Sequence, residues 1–162
     1  MIKAIFAVVA LLVASASSVA ADVPPLTGYV NDYARILSSQ TVSDLERILS
    51  NYQAETTHQI AVLTVESLNG EPLEAFSLRV ANEWGLGLKR HDNGVLVLLA
   101  LREHAVRIEL GKGMGRHVTD EQAGNTIEAM TPYFRAARYD DGVRVGIKRL
   151  MELCRAYELT AD

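Results

Sequence analysis

The sequence predicts an α/β protein, a three-layer α/β/α sandwich with a small mixed β-sheet. Two apolar segments, residues 59–66 and 95–101, are typical of buried strands, and helical patterns of apolar residues separate and follow them. A strand, a helix and a second strand in succession make a right-handed crossover, which places the two strands parallel in one sheet. The length of 162 residues, the 49% hydrophobic share and the net charge of −4 favour one globular domain and exclude a general nucleic-acid binder.

The N-terminal segment, residues 1–21, is predicted to be a signal peptide. Lys3 precedes a short apolar run, and small residues around Ala20 and Ala21 provide a cleavage site before Asp22. The run is shorter than the roughly 20 residues that a membrane-spanning helix needs, although an uncleaved anchor is the alternative. We therefore expect a periplasmic or secreted product with no transmembrane segment in the mature chain. The remaining divisions are a lead-in over 22–28, one domain over 29–157 and a tail over 158–162.

The first half of the domain is predicted to contain two helices and one strand. Ser38 or Ser39 is suited to cap the first helix, because a serine hydroxyl accepts a hydrogen bond from a first-turn N–H. Gly85 and Gly87 end the second helix, because glycine tolerates the left-handed conformation found there. The two helical stripes are Val42, Leu45, Leu49 and Tyr52, then Leu73, Phe76, Val80 and Trp84.

A β-hairpin is predicted in the second half. The strand over 95–101 is followed by a tight polar connection and by residues 105–110, which alternate between apolar and polar. This alternation predicts a half-exposed antiparallel strand, with Arg107 and Glu109 on its solvent side. The sequence leaves open whether residues 29–37 add a further edge strand.

Two more helices are predicted after the hairpin. Thr119 and Gln122 have the spacing of a capping box, in which each residue binds the other's backbone N–H. Pro132 is expected to disturb the helix that follows. Asp140 or Asp141 is expected to cap the last helix, whose stripe is Val143, Ile147, Leu150, Met151 and Cys154.

This topology brings two polar loops to the amino end of the sheet, where the parallel strands begin. The loop over residues 85–93 leads into the second buried strand, and the loop over 111–118 follows the antiparallel strand back to the same end. Their charged and histidine residues, with the first helical residue after them, are Lys89, Arg90, His91, Asp92, Lys112, Arg116, His117 and Asp120.

The mixture of charges at the amino end is suited to an anion and a metal ion. Arg90, Lys112 and Arg116 are predicted anion ligands, because basic side chains and helix N-terminal amides bind phosphate oxygens. Asp92 and Asp120 are predicted to hold a hard divalent cation, which prefers carboxylate oxygens. The simpler alternative is that all five are solvated loop charges.

Five short motifs resemble those of the TPM-domain family and follow one another in the same order along the chain. The resemblance implies an α/β/α sandwich in an exported or membrane-associated setting. Some members of that family bind calcium or show acid phosphatase activity, and others are chloroplast lumen proteins that assist photosystem II repair. The motifs are residues 30–34 (VNDYA), 92–96 (DNGVL), 107–113 (RIELGKG), 119–120 (TD) and the pair 134–135 (FR) with 139–142 (YDDG).

The resemblance also implies a set of metal ligands. Asp32, Asp92, Asp120 and Asp140 occupy acidic positions of the family pattern, and calcium is the expected ion. The predicted topology places Asp32 and Asp140 at the carboxyl end of the sheet, so the four are not expected to share one ion.

The favoured functional hypothesis is an exported accessory protein of the cell envelope that binds a divalent cation and assists a membrane complex. The alternative is a weak metal-assisted acid phosphatase acting on phosphomonoesters, with Asp92 and Asp120 on the cation and Lys112 or Arg116 on the phosphate. A third hypothesis is a calcium-stabilised structural domain with neither activity nor partner. No nucleophile or base stands out, since the single cysteine, Cys154, lies in a helical stripe.

Overall fold

A mixed four-stranded sheet lies at the centre of the computed structural model, which describes residues 21–87 and 91–160. The strands are β1 (Val30–Asp32), β2 (Gln59–Val65), β3 (Gly94–Ala100) and β4 (Ala105–Leu110), in spatial order β1-β2-β3-β4. The first three are parallel, and β4 is antiparallel to β3. The mixed sheet and the predicted hairpin are confirmed, and β1 is the edge strand that the sequence left open.

Helices cover both faces of this sheet and confirm the predicted sandwich. They are α1 (Ser39–Thr56), α2 (Leu73–Trp84), α3 (Asp120–Arg135) and α4 (Tyr139–Thr160). A 3-10 helix, Lys112–Arg116, stands where a loop was predicted, and α4 continues past the predicted domain boundary at residue 157. Within the described residues, no helix combines the length and the apolar character needed to cross a membrane.

Two hydrophobic clusters explain why β2 and β3 are buried nearly throughout. One cluster joins the sheet to α1, α3 and α4, and the other joins the opposite face to α2. Strands covered on both faces are apolar along their length, which is the pattern seen in the sequence. The lead-in completes the α2 layer, because Ala21 is buried in the second cluster and the Trp84 indole donates to the Pro24 carbonyl at 2.8 Å. The rest of the predicted signal peptide, residues 1–20, lies outside the described residues.

The ends of three helices follow the predicted cap chemistry. The hydroxyl of Ser38 accepts from an amide in the first turn of α1, Gly85 ends α2 with φ of 59°, and Thr119 forms the predicted capping box of α3. Helix α3 continues through Pro132 and ends only at Arg135. Pro132 lies in its last turn, so the hydrogen bond that it cannot donate and the crowding by its ring affect only the end of the helix.

Two expectations about charged residues were wrong. Asp140 and Asp141 do not precede α4 as caps, because the helix begins at Tyr139 and includes both in its first turn. Arg107 and Glu109 are not on a solvent-facing side of β4. Helix α2 packs on that side, and its buried Ser77 hydroxyl donates to the Glu109 carboxylate at 2.8 Å while the Arg107 guanidinium donates to the same carboxylate at 2.8 Å.

Candidate functional site

At the amino end of the sheet, backbone contacts hold the two predicted loops together. The Gly111 amide donates to the Gly94 carbonyl at 2.8 Å, and the Gly113 amide donates to the Asp92 carbonyl at 3.1 Å. A side chain on Gly113 would overlap the carbonyl oxygen of His91. The close approach of two backbones therefore explains Gly111 and Gly113.

The charged side chains at this end point into solvent. Asp92, Asp120, Lys112 and Arg116 are all exposed, and none of them occurs among the ion pairs of the described residues. Arg90 lies outside the described residues. This geometry agrees with solvated loop charges, and the anion-binding role assigned to the basic residues stays a prediction.

A histidine pair that no sequence motif indicates lies beside these loops. The rings of His58 and His117 meet edge to face with centroids 4.5 Å apart. The Tyr52 hydroxyl is 3.4 Å from Nδ1 of His58, which is 5% exposed. His58 precedes β2 and His117 follows the 3-10 helix. Residues so far apart in the chain share no local pattern, so only the fold brings them together.

At the carboxyl end, Asp32 and Asp140 bind three consecutive amides that lead into α1. Asp32 accepts from Ile36 at 3.2 Å and from Leu37 at 3.0 Å. Asp140 accepts from Ser38 at 2.9 Å. The two carboxylates therefore fix the segment between β1 and α1, and Asp140 ties α4 to it.

The surroundings of Asp140 favour its charged form. Partial burial opposes ionisation, but hydrogen bonds from the backbone and hydroxyl of Ser38 and from the Thr41 hydroxyl outweigh it, and Arg144 adds an opposite charge. The pKa of Asp140 therefore lies below the ordinary value for an aspartate.

The four predicted metal ligands fall into two pairs at opposite ends of the sheet. Asp32 pairs in register with Thr64 near the end of β2, whereas Asp92 precedes the start of β3. A seven-residue strand is roughly 20 Å long, so the pairs cannot share an ion. Within the described ranges, no group of three or more His, Cys, Asp or Glu side chains could hold a metal ion.

A cleft of about 570 Å³ lies at the carboxyl end of the sheet. It lies between the β3–β4 turn and the junction of α3 with α4, and its lining in the described part of the chain includes no carboxylate. Sequence reasoning missed it, although the general tendency of open α/β sheets to bind ligands at the carboxyl ends of their strands could have indicated it. Its lining residues are Ile36, Leu99, Ala100, Leu101, His104, Ala105, Val106, Thr131, Phe134, Arg135, Ala137 and Tyr139.

Curated relatives of the chain include chloroplastic proteins of plants. A chloroplastic UPF0603 protein of Arabidopsis thaliana is 26% identical over 149 residues, which cover 90% of this chain and 52% of that protein. A chloroplastic UPF0603 protein of Oryza sativa subsp. indica is 26% identical over 130 residues, which cover 78% of this chain and 43% of that protein. The chain thus spans about half the length of these relatives.

Solved structures share the fold. The N-terminal domain of a protein from P. gingivalis superposes with a TM-score of 0.72 at 29% identity, over 77% of this chain and 80% of that one. The BA42 protein of Bizionia argentinensis gives a TM-score of 0.65 at 19% identity, over 75% of this chain and 83% of that one, a likeness of fold alone. The family model described as TPM domain matches residues 30–153, from β1 to the second half of α4. The chain therefore belongs to the TPM-domain family.

Proposed function

We propose that this TPM-domain chain is an exported accessory protein of the cell envelope that acts by binding a partner and assists the maintenance or assembly of a membrane complex. The observation that supports it is the cleft at the carboxyl end, which has apolar walls and a basic rim. Thr131, a half-buried residue of its lining, donates its hydroxyl to the Ile127 carbonyl at 2.8 Å. This hydroxyl is therefore already bound to the backbone, and the described residues of the cleft offer mainly an apolar surface for binding. Export rests on the predicted signal peptide.

The proposal is tested by affinity capture from a cell-envelope extract with the purified mature protein. Wild type should retain a reproducible membrane-protein partner, and Arg135→Glu in the cleft should lose it. Arg47→Glu is the matched control, because it makes the same charge change at an exposed position of α1, outside the cleft. Absence of a reproducible partner, or equal capture by both variants, would contradict a binding role for the cleft.

Divalent-cation binding, with calcium as the expected ion, is a separate part of this proposal. It concerns Asp92 and Asp120 first, because their carboxylates are exposed at one end of the sheet. Calorimetric titration of calcium, magnesium and manganese into chelator-treated protein tests it, with Asp92→Ala as the comparison. Saturable binding that the variant loses would justify assays for the alternative, a metal-assisted phosphatase. Absence of heat for all three ions would leave both residues as loop charges.

A further inference from the structure

The cleft at the carboxyl end has an apolar wall built from three elements. Val106 comes from β4, Phe134 from the last turn of α3 and Tyr139 from the start of α4. The rings of Phe134 and Tyr139 stack with centroids 6.0 Å apart, so they form one continuous aromatic surface. A volume of about 570 Å³ lies within the range of pockets that bind small ligands, and it accommodates an apolar side chain.

The polar groups around this wall favour a negatively charged ligand. Arg135 and His104 line the cleft, and none of the described residues that line it is acidic. Arg135 is exposed and takes part in no ion pair with the described residues, whereas the nearby Arg138 is paired with Asp141 at 2.8 Å. The charge of Arg135 is thus available to a ligand whose apolar part occupies the wall.

The strand beside the cleft also offers backbone groups. Bonded and non-bonded residue pairs alternate along an antiparallel ladder, and the Gly111 amide bonds to the Gly94 carbonyl. The bonded pairs therefore include Arg107 with Leu98, and the amide and carbonyl of Val106 point away from β3. Because β4 is the last strand of the described sheet, no further strand pairs with that edge.

We infer that the cleft binds the C-terminal end of an extended polypeptide whose last residue is apolar. The peptide backbone pairs with the β4 edge at Val106, the last side chain lies against Phe134 and Tyr139, and the terminal carboxylate binds Arg135. Addition of a strand to an exposed edge is a recurrent mode of peptide recognition, in which main-chain bonds give affinity and a pocket gives specificity. This inference rests on the proposed function, because it names the chemistry of the partner.

The test is a two-dimensional NMR titration of the ¹⁵N-labelled mature protein with the peptide acetyl-Ala-Ala-Ala-Phe. The expected result is saturable shifts of amides in residues 99–106 and 131–139. The same peptide with a C-terminal amide should bind about tenfold more weakly, a loss equal to one good charge-assisted contact. Octanoate supplies the apolar acid without a peptide backbone and should also bind more weakly. Equal affinity of acid and amide, or an octanoate affinity equal to that of the peptide, would overturn the inference.

Variants locate the site. Arg135→Glu and the charge-neutral Arg135→Gln should each lose at least about tenfold in affinity, a loss of one charge-assisted contact, whereas Arg47→Glu in α1 should bind like wild type. Arg135 is exposed, so these variants are expected to fold, and their melting curves check this. Undiminished binding by Arg135→Glu, or shifts confined to residues 91–94 and 111–117, would refute the site. Peptide binding without a captured envelope partner would contradict the proposed function alone, and a captured partner without peptide binding would contradict this inference alone.

Discussion

Replacement of Asp140 by alanine should destabilise the protein by a predictable amount. The change removes the acceptor of the Ser38 amide, at 2.9 Å, and with it the link between α4 and the start of α1. A hydrogen bond to a charged group contributes about 1.5–3 kcal/mol net, and partial exposure of Asp140 reduces this contribution to about 1–2 kcal/mol. For a domain of this size, that loss lowers the melting temperature by roughly 3–7 °C.

Asp141→Ala is the matched control for this experiment. Asp141 lies next to Asp140 in the first turn of α4. Its carboxylate is paired with the exposed guanidinium of Arg138 at 2.8 Å. Exposed ion pairs of this kind contribute little, about 0.5 kcal/mol or less, so this variant should melt within about 2 °C of wild type. Asp140→Asn keeps an oxygen acceptor and removes the charge, so it should fall between the two.

The effect of Asp140 should depend on pH with a defined sign. The pKa of Asp140 is lower in the folded than in the unfolded state, so its stabilisation is complete above the unfolded value and is lost as pH falls through the folded one. Thermal unfolding at pH 7 and at pH well below 4 measures this difference. The reasoning is refuted if Asp140→Ala and Asp141→Ala melt together at pH 7. It is refuted equally if the gap between wild type and Asp140→Ala stays the same at low pH.

Three further substitutions test local features by thermal or urea unfolding. Ala137, the second residue after α3, has a φ of 54°, so Ala137→Gly should stabilise the fold by about 0.5–1 kcal/mol, and a lower melting temperature would contradict this account of the chain after the helix. Gly113→Ala should lower the free energy of unfolding by about 1–3 kcal/mol, because its new methyl group would overlap the His91 carbonyl. Gly115→Ala is the control, because its methyl group meets no atom within 4 Å and should change stability little. Equal effects of the two substitutions would contradict the close approach of the two loops. Thr119→Ala should cost about 1 kcal/mol through loss of the capping box, and an unchanged urea midpoint would remove that cap from the explanation of α3.

The parts of the fold that the sequence predicted are those governed by local chemistry. Apolar runs identified β2 and β3, because both of their faces are buried and no alternation is needed. The capping box of Thr119 and Gln122 and the left-handed Gly85 act within one helical turn, so their spacing in the chain is their spacing in space. These two helix ends do not depend on what packs against the helices.

Strand β1 could not be predicted because it is only three residues long and two of them are polar. Asn31 is 1% exposed in spite of its amide. Its side chain donates to the Gly28 carbonyl at 3.0 Å and accepts from the Thr27 amide at 2.8 Å. These hydrogen bonds replace those that the Asn31 amide would make with water. A count of apolar residues cannot detect a polar side chain buried in this way.

The two candidate sites, the loops at the amino end and the cleft at the carboxyl end, differ in how far the local sequence indicates them. Many charged residues lie in the loops at the amino end, and their clustering predicts a site there. Asp92, Lys112 and Arg116 are exposed, however, and charges in water interact weakly. The cleft contains fewer polar residues, and its walls come from elements that are distant in sequence, such as the β3–β4 turn and the end of α3. A pocket of this kind depends on packing and has no signature in residue spacing.

Asp140 connects the stability of the fold with the geometry of the cleft. Its neighbour Tyr139 and residue Ile36 both line the cleft, and the bond from the Ser38 amide to Asp140 joins the two segments that carry them. Asp32 secures the same segment by accepting from the Ile36 amide. Asp140, which the family resemblance implies to be a metal ligand, thus holds together two segments that line the cleft. The melting experiment on Asp140 therefore measures how firmly the structure holds the cleft in the shape that a ligand would meet.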